Sequence, residues 1–111
     1  MTLNTNMHFH KFDRMGQILA KGGLSIAIQQ EGMELTIALA ECSRDENFNR
    51  KLGRTVAQGR LRKAIKAGPL DTKPRKNILR TTLPEAVALK SFVIELPEIK
   101  RLRMKLVAGG K

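Results

Sequence analysis

The chain has 111 residues, 41% of them hydrophobic and 28% charged, which is the composition of a globular protein and argues against a disordered chain. Its length predicts one domain, residues 1–111, with a modest core in which helices and a sheet form two layers. The 21 Lys and Arg residues outnumber the 10 Asp and Glu residues, and the net charge of +11 favours a polyanionic partner, usually nucleic acid.

Individual residue types narrow the class of protein further. Cys42 is the one cysteine, so an intrachain disulfide is excluded and a reducing compartment fits. Four Phe residues, without Tyr or Trp, leave little material for a base-stacking platform. The N-terminus lacks the apolar core of a signal peptide, and no apolar run approaches the ~20 residues that span a bilayer. We therefore expect a cytoplasmic protein with no membrane partner.

The N-terminal residues predict a tail followed by a strand. Residues 1–6 are polar and predict a disordered tail, whereas residues 7–12 alternate loosely and predict a short edge strand. His8 and His10 share one face of such a strand, as the ligands of some metal sites do. No further His, Cys or acidic residues follow at a spacing typical of metal sites. We therefore expect polar surface histidines, with no metal and no cofactor.

The clearest secondary structure is a β-hairpin over residues 24–43. Two alternating segments flank Glu31-Gly32, a typical two-residue loop, which pairs Gln30 with Met33. The apolar pairs that follow are Ile28–Leu35, Ile26–Ile37 and Leu24–Leu39. All lie on one face, so we expect that face to be core and the opposite face, which is small or polar, to contact water. A hairpin alone is marginally stable, so residues 16–21 are expected to add a strand and the next helix to cover the apolar face.

Residues 43–66 predict one long basic helix. Ser43 and Glu46 fit a capping box, and Gly68-Pro69 fits a helix end. At about 100° per residue the apolar residues form two stripes, and we expect the first stripe to pack on the apolar face of the hairpin. The first stripe is Phe48, Leu52 and Val56, and the second is Ala57, Leu61, Ala64 and Ile65. Gly53, Ala57 and Ala64 also form a narrow strip that would let the helix backbone approach a sheet closely.

Positive charge is concentrated between Arg44 and Arg80, where twelve cations and three acids supply +9 of the net +11. Arginine predominates in the helix, and its planar guanidinium binds phosphate in bidentate fashion. We therefore expect contacts with the phosphates of DNA or RNA from the helix and from the basic loop after it. The predicted binding residues are Arg50, Lys51, Arg54, Arg60, Arg62, Lys63, Lys66, Lys73, Arg75, Lys76 and Arg80.

The same stretch carries a family resemblance over residues 42–61. Its pattern is Cys42-Ser43, Asp45, Phe48, Arg50-Lys51, Gly53-Arg54, Ala57 and Gly59-Arg60-Leu61. This pattern resembles a motif in small uncharacterised basic proteins of bacteriophages and related mobile elements. The resemblance implies a phage or mobile-element setting, and hence the cytoplasm of a host cell, where small basic proteins act on nucleic acid or on host machinery. It implies no particular functional residues.

The C-terminal third is less regular. Residues 67–82 predict a proline-interrupted basic loop. Pro84 predicts the start of a helix, with a strand near residues 92–94 as the alternative. Pro97 predicts the start of a last helix, and the alternation within residues 102–106 makes a final strand the alternative.

No catalytic pattern is visible in the sequence, whether a phosphate-binding glycine loop, a zinc-ligand spacing or a nucleophile elbow. Cys42 and either His8 or His10 could form a nucleophile–base pair if the fold placed them within hydrogen-bond distance. Their positions in the sequence do not indicate that it does. We therefore expect a protein that is not an enzyme.

The sequence thus predicts an α+β fold in which a small antiparallel β-hairpin or meander packs against a long basic helix, with a short C-terminal helix or strand. The first functional hypothesis is a non-enzymatic nucleic-acid-binding protein that makes mainly phosphate contacts. The second is a phage-encoded inhibitor or modulator of a host protein complex, such as a defence or transcription system, whose basic face fills a groove meant for nucleic acid. The third is an assembly protein that coats nucleic acid as a homo-oligomer.

Overall fold

The structure is a computed structural model that describes residues 2–67, 77–102 and 104–106. The elements in these ranges are β1 (Thr2–His10), β2 (Lys21–Glu31), β3 (Glu34–Asn47), α1 (Arg50–Ala67), β4 (Ile78–Thr82), α2 (Leu89–Ile94), α3 (Pro97–Lys100) and β5 (Lys105–Leu106). The strands form an antiparallel sheet in the order β4-β3-β2-β1-β5. Helix α1 lies on one face of the sheet, and α2 and α3 lie on the other. The predicted α+β class is confirmed.

The central hairpin of β2 and β3 turns one residue later than predicted. Glu31 pairs with Glu34, so the loop is Gly32-Met33 and not Glu31-Gly32. Gly32 has a φ of 61°, and a positive φ at the first of two loop residues is the type II′ arrangement that favours glycine there. Each residue's partner therefore shifts by two, and Ile28 faces Ile37. A shift of two keeps every side chain on its predicted face.

The third strand is β1, which combines residues predicted as a tail with the first residues of the predicted edge strand over residues 7–12. Thr2 pairs with Glu31 and Phe9 with Leu24, so the expectation of a disordered segment over residues 1–6 is wrong for Thr2 onwards. Residues 16–21 were the other candidate, but the segment before Lys21 is a loop held by a bridge between Phe12 and Ile18. Strand β1 adds polar side chains to one face of the sheet and apolar ones to the other, which is why it fits beside β2.

One face of the sheet is built from large aliphatic side chains. Leu24, Ile26 and Ile28 of β2 are at most 1% exposed. The cluster around them contains Met7, Phe9, Leu35, Ile37, Leu83, Val93 and Ile99. The predicted core face is thus confirmed, but its cover is not the basic helix. The segment from Leu83 through α2 and α3 covers it instead.

The opposite face of the sheet is also covered, contrary to the expectation that it contacts water. Ala27, Ala38 and Ala40 of the sheet pack against Ala57 and Leu61 of α1. These side chains are short, so the helix backbone lies close to the strands, as the strip of small residues predicts. A Cβ atom on Gly53 would lie 2.9 Å from the Cβ of Ser25, closer than such atoms approach in proteins.

Helix α1 packs through this strip and not through the first predicted stripe. Leu52 is 61% exposed and Val56 is 37% exposed, so the expectation that they pack on the hairpin is wrong. Phe48 precedes the helix and is half-buried. Gly53 and three residues of the second stripe, Ala57, Leu61 and Ala64, make the contact, whereas Ile65 of that stripe is 40% exposed.

Helix α1 begins at Arg50, seven residues later than predicted. The capping box is wrong because Ser43 and Glu46 belong to β3, whose pairing with β2 extends to Asn47. Asn49 takes the capping role: its Oδ1 accepts from the Leu52 N–H at 3.0 Å. Asparagine is among the best residues at this position, and one cap of this kind contributes about 1 kcal/mol.

The C-terminal elements differ from the sequence predictions in three places. Strand β4 pairs with β3 where the sequence predicts a loop, and residues 68–76 of that loop lie outside the described residues. A helix does form in the segment after Pro84, but it begins at Leu89 and not at Pro84, and the alternative strand near residues 92–94 is wrong because α2 covers Leu89–Ile94. Pro97 does begin α3, and β5 matches the alternative of a final strand. No helix in the described ranges is long and apolar enough to cross a membrane.

Candidate nucleic-acid interface

The outer side of α1 is a row of exposed cations. The helix carries seven Lys and Arg residues and no Asp or Glu over its 18 residues. Lys51, Arg62 and Lys66 are exposed and lie within about 60° of one another around the helix axis, opposite the strip that faces the sheet. We call these three residues the outer stripe. Arg54 and Lys63 are also exposed and flank it.

Carboxylates do not neutralise this charge. Within the described ranges, none of the five exposed cations of α1 forms an ion pair, whereas Lys100 and Glu95 on the other side of the sheet pair at 3.0 Å. A surface cation that no carboxylate neutralises attracts anions from solution. The outer stripe is therefore available to an anion.

Two of the predicted binding residues hold the helix in place. The Nη1 group of Arg60 donates to the backbone carbonyl of Leu39 on β3 at 2.6 Å. The Nη2 group of Arg80 on β4 donates to the backbone carbonyl of Ala64 at 2.8 Å. Both guanidinium groups thus tie α1 to the strands beneath it. Three other predicted residues, Lys73, Arg75 and Lys76, lie outside the described residues.

The histidines predicted on the surface are buried beneath the start of α1. His8 is 3% exposed and His10 is 9% exposed. His8 Nδ1 and Ser25 Oγ share a hydrogen bond at 2.9 Å, and the Phe48 ring contacts His10 edge-on with ring centroids 4.7 Å apart. Arg50, the first residue of α1, donates from Nε to His10 Nε2 at 3.4 Å. The expectation of surface histidines is therefore wrong.

Both buried histidines are held neutral. Burial lowers the pKa of His8 and His10 below the usual value of 6.5, and the Arg50 guanidinium lowers both further. An Nε2 that accepts from Arg50 requires the proton of neutral His10 to lie on Nδ1. The backbone of Leu19 hydrogen-bonds to the His10 ring and partly offsets the lowering of the His10 pKa.

These polar groups do not form an accessible reaction centre. Ser25 is 0% exposed, so its hydroxyl and the adjoining His8 are closed to a substrate. Cys42 Sγ donates to the backbone carbonyls of Ser43 and Glu46, each at 3.5 Å, and not to a histidine. No three side chains of His, Cys, Asp or Glu come together as a metal site within the residues described.

Comparison of the chain with protein-family models, with curated proteins and with solved structures found no match. The resemblance of residues 42–61 to small phage proteins therefore stays a prediction. The outer stripe is the most distinctive chemical feature of the described fold.

Proposed function

We propose that this protein binds nucleic acid without catalysis, through contacts between phosphates and the outer side of α1. The observation that carries the proposal is a set of five exposed cations on a helix that contains no Asp or Glu. None of the five forms an ion pair with a carboxylate in the part of the chain that the structure describes. Lys51, Arg62 and Lys66 would make the main contacts, with Arg54 and Lys63 beside them.

The spacing of the outer stripe suits a polyanion better than a small ion. Lys51 and Lys66, the ends of the outer stripe, are fifteen residues apart, which corresponds to about 22 Å along a helix. One strand of nucleic acid carries a phosphate roughly every 3.4 Å along a duplex, so the stripe would span about six phosphates. Isolated small anions would gain nothing from this distance, whereas a chain of phosphates would contact all three cations at once.

Binding of this kind has a characteristic dependence on salt. Cations that neutralise phosphates release condensed counterions, so log affinity falls linearly with log salt concentration. Phosphate contacts carry little sequence information, so sequence preference from the outer stripe would be weak. The class of partner is thus DNA or RNA, recognised first by charge.

The test is fluorescence anisotropy with labelled oligonucleotides and the full chain, at about 50 mM and about 200 mM salt. The test variant is Lys51→Gln/Arg62→Gln/Lys66→Gln. The matched control, Arg14→Gln/Lys90→Gln/Arg101→Gln, removes the same charge from exposed positions away from α1. We expect the α1 variant to lose at least about tenfold in affinity and to lower the salt slope by about 2, with a much smaller change in the control.

Two results would count against the proposal. Equal losses in both triple variants would mean that total charge, and not the outer stripe, attracts the oligonucleotide. Absence of salt-dependent binding to single- and double-stranded DNA and RNA would reject nucleic acid as the partner. If a stoichiometric protein were then captured from a nuclease-treated host lysate, the inhibitor hypothesis would take its place.

A further inference from the structure

Three clefts run beside α1, and their charges differ. The cleft on the β3 side, about 310 Å³ in volume, is lined by Glu41, Glu46 and Arg60. The cleft at the hairpin end, about 510 Å³, is lined by Glu31, Glu34 and Arg80. In each of them two carboxylates face one guanidinium, which already donates to a backbone carbonyl. The third cleft, about 320 Å³, lies between α1 and β1, and no carboxylate is found among its described lining residues. Carboxylates repel phosphates, so the two acidic clefts are unfavourable paths for nucleic acid.

The cleft between α1 and β1 is lined by amides together with apolar side chains such as Leu61 and Ile65. Asn4 and Asn6 project from β1, Gln58 projects from α1, Gln29 comes from β2, and Arg62 stands at the side shared with the outer stripe. We call it the amide groove. The N–H of Gln58 Nε2 donates to Asn6 Oδ1 at 3.4 Å across it, which is a long hydrogen bond. The amide nitrogen of Asn6 and the amide oxygen of Gln58 remain for further partners.

The chemistry of the amide groove matches the edges of bases. Asn and Gln side chains pair with adenine, and Arg pairs with guanine, because each offers the matching set of donors and acceptors. A volume of about 320 Å³ is at the lower end of small-molecule pockets, so the groove suits an unpaired nucleotide and is too small for a duplex.

We infer that a single-stranded segment of nucleic acid lies in the amide groove, with base edges against Asn4, Asn6 and Gln58 and phosphates towards Arg62 and the outer stripe. This inference rests on the proposed function and states on which side of α1 the strand runs. It adds base contacts to a surface that would otherwise recognise charge alone.

The experiment compares two asparagines on opposite sides of α1. Asn6→Asp puts a carboxylate in the amide groove and keeps the oxygen that accepts from Gln58. Asn47→Asp makes the same change in the acidic cleft on the β3 side. Each variant loses one unit of net charge, so only the position differs. Affinity is measured by anisotropy for mixed-sequence single-stranded DNA, single-stranded RNA and the DNA duplex of the same sequence.

We expect Asn6→Asp to weaken single-strand binding at least about fivefold, because the new carboxylate lies within a few ångströms of the bound strand. Asn47→Asp should change it less than about twofold, since a screened charge on the far side of the helix acts weakly. Wild-type protein should bind the single strand more tightly than the duplex. Thermal unfolding by circular dichroism shows whether each variant folds, and Asn4→Asp replaces Asn6→Asp if the latter does not.

The outcomes separate the two proposals. Equal effects of Asn6→Asp and Asn47→Asp, or tighter binding of the duplex, would overturn the amide groove while the salt dependence and the effect of the outer stripe stand. Absence of salt-dependent binding to any of the three oligonucleotides would overturn both proposals.

Discussion

The two faces of the sheet are covered by helices of opposite character. On the C-terminal side, fully buried aliphatic residues such as Ile26 and Val93 form a continuous core, and each contributes about 1.5–3 kcal/mol to stability. On the α1 side the contact consists of alanines, a glycine and a polar pair, Ser25 with His8. Most of the apolar stabilisation therefore lies on one face of the sheet. The other face holds a helix whose outer side carries a row of cations.

The largest expected effect comes from the aliphatic face. Replacement of Ile26, 0% exposed, by alanine should lower the free energy of unfolding by about 2–5 kcal/mol, through lost transfer energy and a cavity. Ile65→Ala, at a position that is 40% exposed on α1, is the control and should cost less than about 1 kcal/mol. Urea unfolding measures both. Similar losses at the two sites would mean that the faces do not differ in this way.

The next effect concerns the close contact of α1 with the sheet. Gly53→Ala should lower the free energy of unfolding by about 1–3 kcal/mol, because the added methyl group meets Ser25 and forces the helix outward. Gly59→Ala is a matched control on the same helix, where an added Cβ finds nothing within 4 Å. It should raise the free energy of unfolding by about 0.5–1 kcal/mol, which is the helix preference for alanine. Stabilisation by both variants would show that the close approach at Ser25 is not needed.

The smallest effect is the response of the α1 side to acid. The pKa of His8 and of His10 is lowered in the folded chain by burial and then by Arg50, whereas in the unfolded chain both titrate near about 6.5. Below that pH the unfolded chain binds more protons, so the free energy of unfolding should fall as pH decreases from about 7.5 to about 5. Denaturant unfolding across this range measures the slope.

A variant separates the histidines from other titrating groups. His8→Gln/His10→Gln should show a flatter dependence of stability on pH between about 7.5 and about 5.5, since carboxylates titrate mostly below this range. An unchanged slope in the double variant would assign the acid sensitivity to other groups.

Several features of this fold follow from the sequence because they depend on local periodicity. The alternation in β2 and β3 assigns every side chain to the correct face, even though the loop is displaced by one residue. The small residues of α1 likewise identify its contact side. Both signals come from buried residues that recur at the period of a strand or a helix. A shift of two residues in the strand pairing leaves the buried face unchanged.

Other features depend on contacts that local signals do not contain. Ser43 and Asn49 are both residues that favour the start of a helix. Because β3 pairs with β2 up to Asn47, the helix begins after Asn49 and not after Ser43. The cover of the aliphatic face comes from short C-terminal segments that lack a helical stripe. The pattern of β1 suggests surface positions for His8 and His10, but Ser25 of the neighbouring strand, Phe48 and Arg50 cover them at the start of α1.

The candidate site was only partly predictable for the same reason. Lys51, Arg62 and Lys66 could be identified from charge and helical spacing. Arg60 and Arg80 carry the same charge, but their hydrogen bonds to carbonyls depend on the strands beneath α1. The amide groove was missed because Asn4 and Asn6 fall in the segment predicted as a tail. Alternating polar residues from Thr2 to His8 were the available signal for a strand.

The cover of the aliphatic face lies far along the chain from the strands that it protects. Strands β1 to β3 end at Asn47, whereas Val93 and Ile99 follow some fifty residues later, which corresponds to several seconds of synthesis at about 5–20 residues per second. A nascent chain that has completed the meander therefore presents its aliphatic face to its surroundings while α1 can already occupy the other face. We expect chaperone contact and aggregation during translation to involve that face, and a ribosome stalled before residue 93 would leave it uncovered.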